Sequence, residues 1–88
     1  MKTFNDLKFD REVNPLGSFM DRASLQFPNG YGISVIRGTY SYGGDEGLYE
    51  CAVLKDDKLY YDSPITDDVI GYCDEDEVTE VMKQIQEL

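Results

Sequence analysis

Only one stretch of this chain has the periodicity of a helix: Asp74-Glu75-Asp76-Glu77-Val78-Thr79-Glu80-Val81-Met82-Lys83-Gln84-Ile85-Gln86-Glu87-Leu88. Its apolar residues, Val78, Val81, Met82, Ile85 and Leu88, fall where a 3.6-residue turn gathers them into one arc about 120° wide. Such a stripe must be buried against something. Asp74 is placed to act as N-cap, with Glu77 at the third helical position reaching back in a capping box. First-turn carboxylates also sit at the positive end of the helix dipole. Capping and dipole together contribute about 1 to 2 kcal/mol, less the repulsion among four adjacent carboxylates. Everything upstream reads as short strands and turns. The expected fold is therefore α+β: a meander of four to five antiparallel strands packed on one C-terminal amphipathic helix.

The strands announce themselves by alternation. Between Phe19 and Phe27, Phe19, Ala23, Leu25 and Phe27 are apolar while Arg22, Ser24 and Gln26 are polar, the period of a half-buried strand. Pro28-Asn29-Gly30 predicts a tight turn, because Asn-Gly takes the positive φ angles that hairpins use. Tyr31 to Arg37 returns as a second strand, and Gly38 marks a bend. Thr39 to Tyr42 extends toward Gly43-Gly44-Asp45-Glu46-Gly47, by composition the most flexible part of the chain. Leu48 to Lys55 is a third strand, turned by Asp56-Asp57 into Lys58 to Asp62, which Pro64 ends. Ile65 to Cys73 reads as a connection, with Thr66-Asp67-Asp68 able to start a short helical piece. The first seventeen residues contain a short strand or one helical turn near Lys2 to Phe9. One domain is expected over 1–88, divided into an N-terminal segment (1–17), strands (18–62) and the helix (74–88).

Leu48 to Leu54 raises a question of coverage. Leu48, Ala52 and Leu54 point one way and Tyr49, Cys51 and Val53 the other, so both faces are apolar, whereas a single helix covers one. The second face calls for the N-terminal segment with Phe4, Phe9 and Phe19, or for a second copy of the protein in a homodimer. Tyr60-Tyr61 raises the same question, since adjacent strand residues face opposite sides.

Charge narrows the partners. The net charge is −10, and it is lopsided: residues 1 to 44 carry five Lys/Arg against four Asp/Glu, residues 45 to 88 three against fourteen. Bare nucleic acid and anionic membranes need the opposite sign. A basic protein surface does not, including one whose groove normally holds nucleic acid. Disorder is rejected, because 41% hydrophobic and 12% aromatic residues supply enough burial to offset chain entropy. Met1-Lys2-Thr3-Phe4-Asn5-Asp6 turns polar at once and no apolar run reaches membrane-span length, so a cytoplasmic protein is expected. In that compartment Cys51 and Cys73 are expected to be reduced thiols.

Recognisable chemistry is missing. There is no histidine, the commonest general base and metal ligand. Two distant cysteines cannot close a zinc site. Asp74, Asp76 and Glu80 faintly suggest calcium, but the EF-hand loop needs glycine and glutamate where this chain has Thr79 and Ile85. The glycines do not open a helix after a strand as a phosphate loop requires. No enzyme activity, cofactor or metal is expected. Tyrosine is prominent instead, seven in a chain with no tryptophan, and it supplies rigid amphipathic contact area at interfaces as well as strand propensity.

Three segments carry a resemblance: Phe27-Pro28-Asn29-Gly30-Tyr31-Gly32, Tyr42-Gly43-Gly44-Asp45-Glu46-Gly47-Leu48-Tyr49-Glu50, and Asp62-Ser63-Pro64-Ile65-Thr66-Asp67-Asp68-Val69-Ile70-Gly71. Across residues 19 to 88 the chain resembles small acidic proteins encoded by bacteriophages and prophages. The resemblance implies a setting in which short acidic proteins inhibit host defence, as anti-CRISPR and anti-restriction proteins do. The expectation is an inhibitor acting in the host cytoplasm on a host protein with a basic surface. Asp45, Glu46, Asp67, Asp68, Asp74, Glu75, Asp76, Glu77 and Glu80 would form its nucleic-acid-mimicking surface, with Tyr40, Tyr42 or Tyr61 as aromatic anchors. Two alternatives stand beside it. The acidic run is also explained as a well-started helix with a solvated face, and the protein as a small self-associating assembly unit whose charge only keeps it soluble.

Overall fold

A computed structural model describes residues 1–88. Six strands, β1 (Asp10–Val13), β2 (Phe19–Gln26), β3 (Tyr31–Gly38), β4 (Tyr49–Lys55), β5 (Lys58–Leu59) and β6 (Ile70–Cys73), precede helix α1 (Glu75–Gln86). Every pairing is antiparallel, and β1 to β5 lie side by side in chain order. β6 returns to share the far edge of β4 with β5. The result is the expected α+β meander on one helix, with one strand more than the sequence suggests.

α1 begins as its sequence dictates. Asp74 Oδ1 accepts from the Glu77 backbone N–H at 2.8 Å, and Glu77 Oε1 accepts from the Asp74 N–H at 3.2 Å. Val78, Val81, Met82 and Ile85 form the buried stripe. Leu88 lies past the last turn, so the expected stripe is one residue too long.

Directly paired residues share a face of the sheet, so the register identifies the buried side. Ala23, Val35 and Cys51 stand in one row, Leu25, Ile33 and Val53 in the next. These residues and the α1 stripe form the core, in which Ile33, Val35, Cys51, Val78, Met82 and Ile85 are fully enclosed. The helix therefore meets the Tyr49, Cys51, Val53 face of β4. The N-terminal segment lies on this same face: Phe4 and Phe9 pack on Tyr49 with ring centroids 5.1 and 5.4 Å away. The Phe4 N–H donates to Thr79 of α1 at 3.1 Å. Its expected role as cover for the opposite face is thus not what the structure has. On that face Ala52 and Leu54 are buried, but the connection after β4 only borders it: Leu59, beside Leu54 in the sheet, and Tyr61 stay exposed around a groove that Val69 and Ala52 also line. Tyr60 turns to the helix side against Tyr31.

Two other elements differ from expectation. The helical turn near Lys2 to Phe9 is a 3₁₀ turn at Phe4–Asp6, but β1 follows it, in a stretch whose sequence Asp-Arg-Glu-Val has no apolar alternation. All four of its residues are exposed, because β1 is a sheet edge. Ile65 to Cys73 is a connection only as far as Val69. Thr66-Asp67-Asp68 makes bends rather than a helical piece, with Thr66 Oγ1 accepting from the Asp68 N–H at 3.1 Å.

The hairpin turns show how side chains choose backbone shape. At the β2–β3 turn only Gly30 takes positive φ, +87°. The Gly30 N–H donates to Phe27 O at 3.2 Å and the Phe27 N–H to Tyr31 O at 2.8 Å, a type I turn closed by a glycine bulge. At the β4–β5 turn both Asp56 and Asp57 are left-handed, at φ 52° and 66°, as a two-residue type I′ turn requires.

Candidate protein-binding surface

Chain direction gathers the candidate residues. β3 ends, β4 begins, β6 ends and α1 begins at one end of the sheet, because Ile36 pairs with Glu50 and Tyr49 with Cys73. The segment Thr39 to Leu48 closes that end, with Asp45 and Glu46 in a 3₁₀ turn at Gly44–Glu46. By composition this segment is the most flexible of the chain, yet its structure is tightly fastened. Ser41 Oγ accepts from the Gly38 N–H at 2.8 Å, the Gly44 N–H donates to Ser41 O at 3.1 Å, and the Leu48 N–H to Gly43 O at 2.9 Å. The Tyr42 N–H donates to the Glu50 carboxylate at 2.9 Å, and Tyr42 O accepts from the Tyr72 N–H at 3.2 Å. Two of the glycines that suggest mobility, Gly43 and Gly44, stand where nothing larger fits. A Cβ on Gly44 would overlap Gly38 O, and one on Gly43 would stand 2.9 Å from Tyr72 Cα.

This frame presents tyrosines to solvent. Tyr40 is 85% exposed, Tyr42 62% and Tyr72 54%. Tyr72 was not among the residues singled out from sequence. It sits at a bulge in the β4–β6 pairing with φ at +57°, a conformation costly for a bulky residue. The end therefore combines Tyr42 and Tyr72 with Asp45, Glu46 and the first turn of α1, Asp74 to Glu77, while Tyr40 stands toward its β1–β2 side, beside Val13, Phe19 and Met20.

Other expected members lie elsewhere. Tyr61 borders a groove of about 260 Å³ on the opposite sheet face, with Ile36, Ala52, Leu59 and Val69. Asp67 and Asp68 precede β6 on that flank, and Glu80 is one turn further along the exposed side of α1. The single expected surface is thus two: an end carrying carboxylates and tyrosines, and a flank carrying Asp67, Asp68 and Tyr61.

The carboxylates also divide by what they do for the fold. Asp74 and Glu77 cap α1, and Asp68 Oδ1 accepts from the Val69 N–H at 2.8 Å. Asp45, Glu46, Asp67, Glu75, Asp76 and Glu80 make no side-chain hydrogen bond and no ion pair.

The one ion-paired carboxylate is Asp21. Arg11 meets it through Nε at 2.7 Å and Nη2 at 2.9 Å, and Arg37 reaches it at 3.3 Å. Both guanidiniums also lie over rings, Arg11 over Phe19 at 4.3 Å and Arg37 over Tyr49 at 4.7 Å. The Arg11 hydrogen bonds, aided by Arg37, hold the Asp21 carboxyl below the ordinary carboxylate range in spite of its burial. Because its native pKa lies below its unfolded one, the unfolded chain takes up this proton first. The Asp21 contribution is complete above the unfolded value of about 3.9 and lost as pH falls through the native value. An Asp21→Asn variant should show a shallower loss of stability below about pH 4 than the parent chain, read by denaturant unfolding across that range.

Cys51 and Cys73 are free and buried side by side at β4 and β6. Burial pushes both thiols up, most strongly at Cys51, so neither is a thiolate at neutral pH. No three ligand-type side chains converge on a point that could hold a metal ion, and no helix is long and apolar enough to cross a membrane. Comparison with family models, curated proteins and solved structures finds no match. The reading of this surface therefore rests on its own geometry.

Proposed function

We propose that the protein is a non-enzymatic inhibitor of phage type. It binds a host defence protein of the CRISPR or restriction kind in the host cytoplasm, through a surface that presents carboxylates where the target expects phosphates. One observation carries the reading: of eighteen Asp and Glu residues only Asp21 is in an ion pair. So much uncompensated charge repels itself and favours encounter with a positive surface. The fastened tyrosines beside it suit the role of anchors, since charge steers association while buried aromatics carry affinity.

Self-association is the competing reading, and the charges on the β1 edge weigh against pairing there. A two-fold axis that pairs β1 with itself keeps each residue on its own face. Asp10 then stands opposite Glu12, or one of the two stands opposite its own copy, and like charges directly opposite are destabilising. A mass measurement in solution separates the readings, since the inhibitor reading does not need an oligomer.

The test is capture from host lysate at low and high salt with identification by mass spectrometry, followed by binding kinetics on the captured protein. Glu75→Lys with Asp76→Lys reverses charge without touching the capping pair Asp74 and Glu77. The double variant should keep the fold at a cost of about 1 kcal/mol from the two cations at the positive end of the helix dipole, and associate about tenfold more slowly at low salt, with the difference shrinking as salt rises. An unchanged association rate would remove the charge-mimicry reading.

A further inference from the structure

The β2–β3 turn holds the end of α1 through one side chain. Asn29 Nδ2 donates to Ile85 O at 2.9 Å and approaches Gln86 O and Leu88 O at 3.4 Å, while its Oδ1 accepts from the Tyr31 N–H at 3.1 Å. The last helical carbonyls have few partners within the helix: Ile85 O accepts from the Leu88 N–H at 3.2 Å, and the Asn29 amide from a distant turn adds a second, shorter bond. The same helix end ties down the N-terminal segment: the Lys2 N–H donates to Gln86 Oε1 at 2.9 Å, and Gln86 Nε2 donates to Lys2 O at 2.8 Å. Asn29 is therefore a latch on the end of α1.

This latch is followed by Gly30, which has no Cβ to hinder attack of its backbone nitrogen on the Asn29 amide. We propose that Asn29 is a deamidation site that the folded hairpin–helix contact holds shut, and that reaction there permanently unlatches the end of α1. In the reaction Gly30 N bonds to Asn29 Cγ, the Cγ–Nδ2 bond breaks and ammonia leaves. Water then opens the succinimide ring to aspartate or isoaspartate, and water is the only co-reactant. Both reacting groups are occupied in the fold. The Gly30 N–H is bonded to Phe27 O, and the Asn29 amide nitrogen is bonded to the helix carbonyls. Cyclisation needs both bonds released, so it proceeds only when the β2–β3 turn and its contact with the end of α1 have both opened. The product cannot close again: a carboxylate has no hydrogen to give Ile85 O, and it faces the negative end of the helix dipole.

The experiment is incubation of the full chain at mildly alkaline pH, folded and in guanidinium chloride, with peptide mass mapping of the one-dalton gain at Asn29. If the contact holds the site shut, conversion is at least about tenfold slower in the folded protein; equal rates overturn the proposal. The second half is read by hydrogen exchange on Asn29→Asp. Amides of Glu87 and Leu88 should exchange at least about tenfold faster than in the parent, with Val35 and Val53 unchanged. Unchanged exchange at Glu87 and Leu88 overturns the unlatching.

Discussion

Alanine at Gly44 should destabilise the protein by about 3 kcal/mol, moving the urea midpoint down by about 2 M. For a domain of this size that is a large share of the total. The cause is contact alone, since Gly44 has no positive φ. Its added methyl would overlap Gly38 O and stand 2.5 Å from Ser41 Oγ, the atom that accepts from Gly38 N–H. The backbone cannot withdraw cheaply, because Gly38 is itself pressed against the Phe19 backbone and Gly43 against Tyr72. Gly47 provides the control. Its φ is +75° but a Cβ there meets nothing within 4 Å, so alanine at Gly47 should cost only about 1 kcal/mol, from backbone strain. Reasoning from conformation alone ranks the two substitutions the other way. Equal midpoint shifts would mean that the Thr39 to Leu48 segment relaxes freely and is no rigid platform.

That segment also marks where the sequence stops being legible. Periodicity and capping depend on neighbours within a few residues, so α1 with its Asp74–Glu77 box, the β2–β3 hairpin and the Asp56–Asp57 turn can all be read directly. β1 and β6 cannot. Asp10 to Val13 becomes a strand because β2 offers it a ladder, and Ile70 to Cys73 because β4 has a free edge, neither of which is written in its own pattern. Glycines read as mobility when counted, but Gly38, Gly43 and Gly44 are points of close backbone approach. Asp21, nominally polar on the apolar face of β2, shows the same limit: its partners Arg11 and Arg37 come from two different strands. The candidate surface was legible as composition, in the acidic run and the loop tyrosines, whereas its division into an end and a flank needed the register of β4 against β6.

Tyr72 gives the sharpest test of the surface, because stability and binding should move in opposite directions. Its left-handed φ of +57° is one that asparagine tolerates far better than a bulky aromatic. With the residue 54% exposed, little packing is lost on replacement. Tyr72→Asn should therefore leave stability unchanged or raise it by up to about 1 kcal/mol. Toward the captured target the same variant should lose about 2 kcal/mol, near thirtyfold in affinity, with the loss mostly in dissociation rate. Tyr40→Ser and Tyr42→Ser should weaken binding in the same manner, each by tenfold or more. Tyr61→Ser, on the flank, should not, if the end carrying the α1 first turn is the surface that docks. A strained tyrosine that can be relieved without loss of binding would be only a consequence of the β4–β6 bulge. Relief at the expense of binding would mean the strain is kept to aim a ring at a partner.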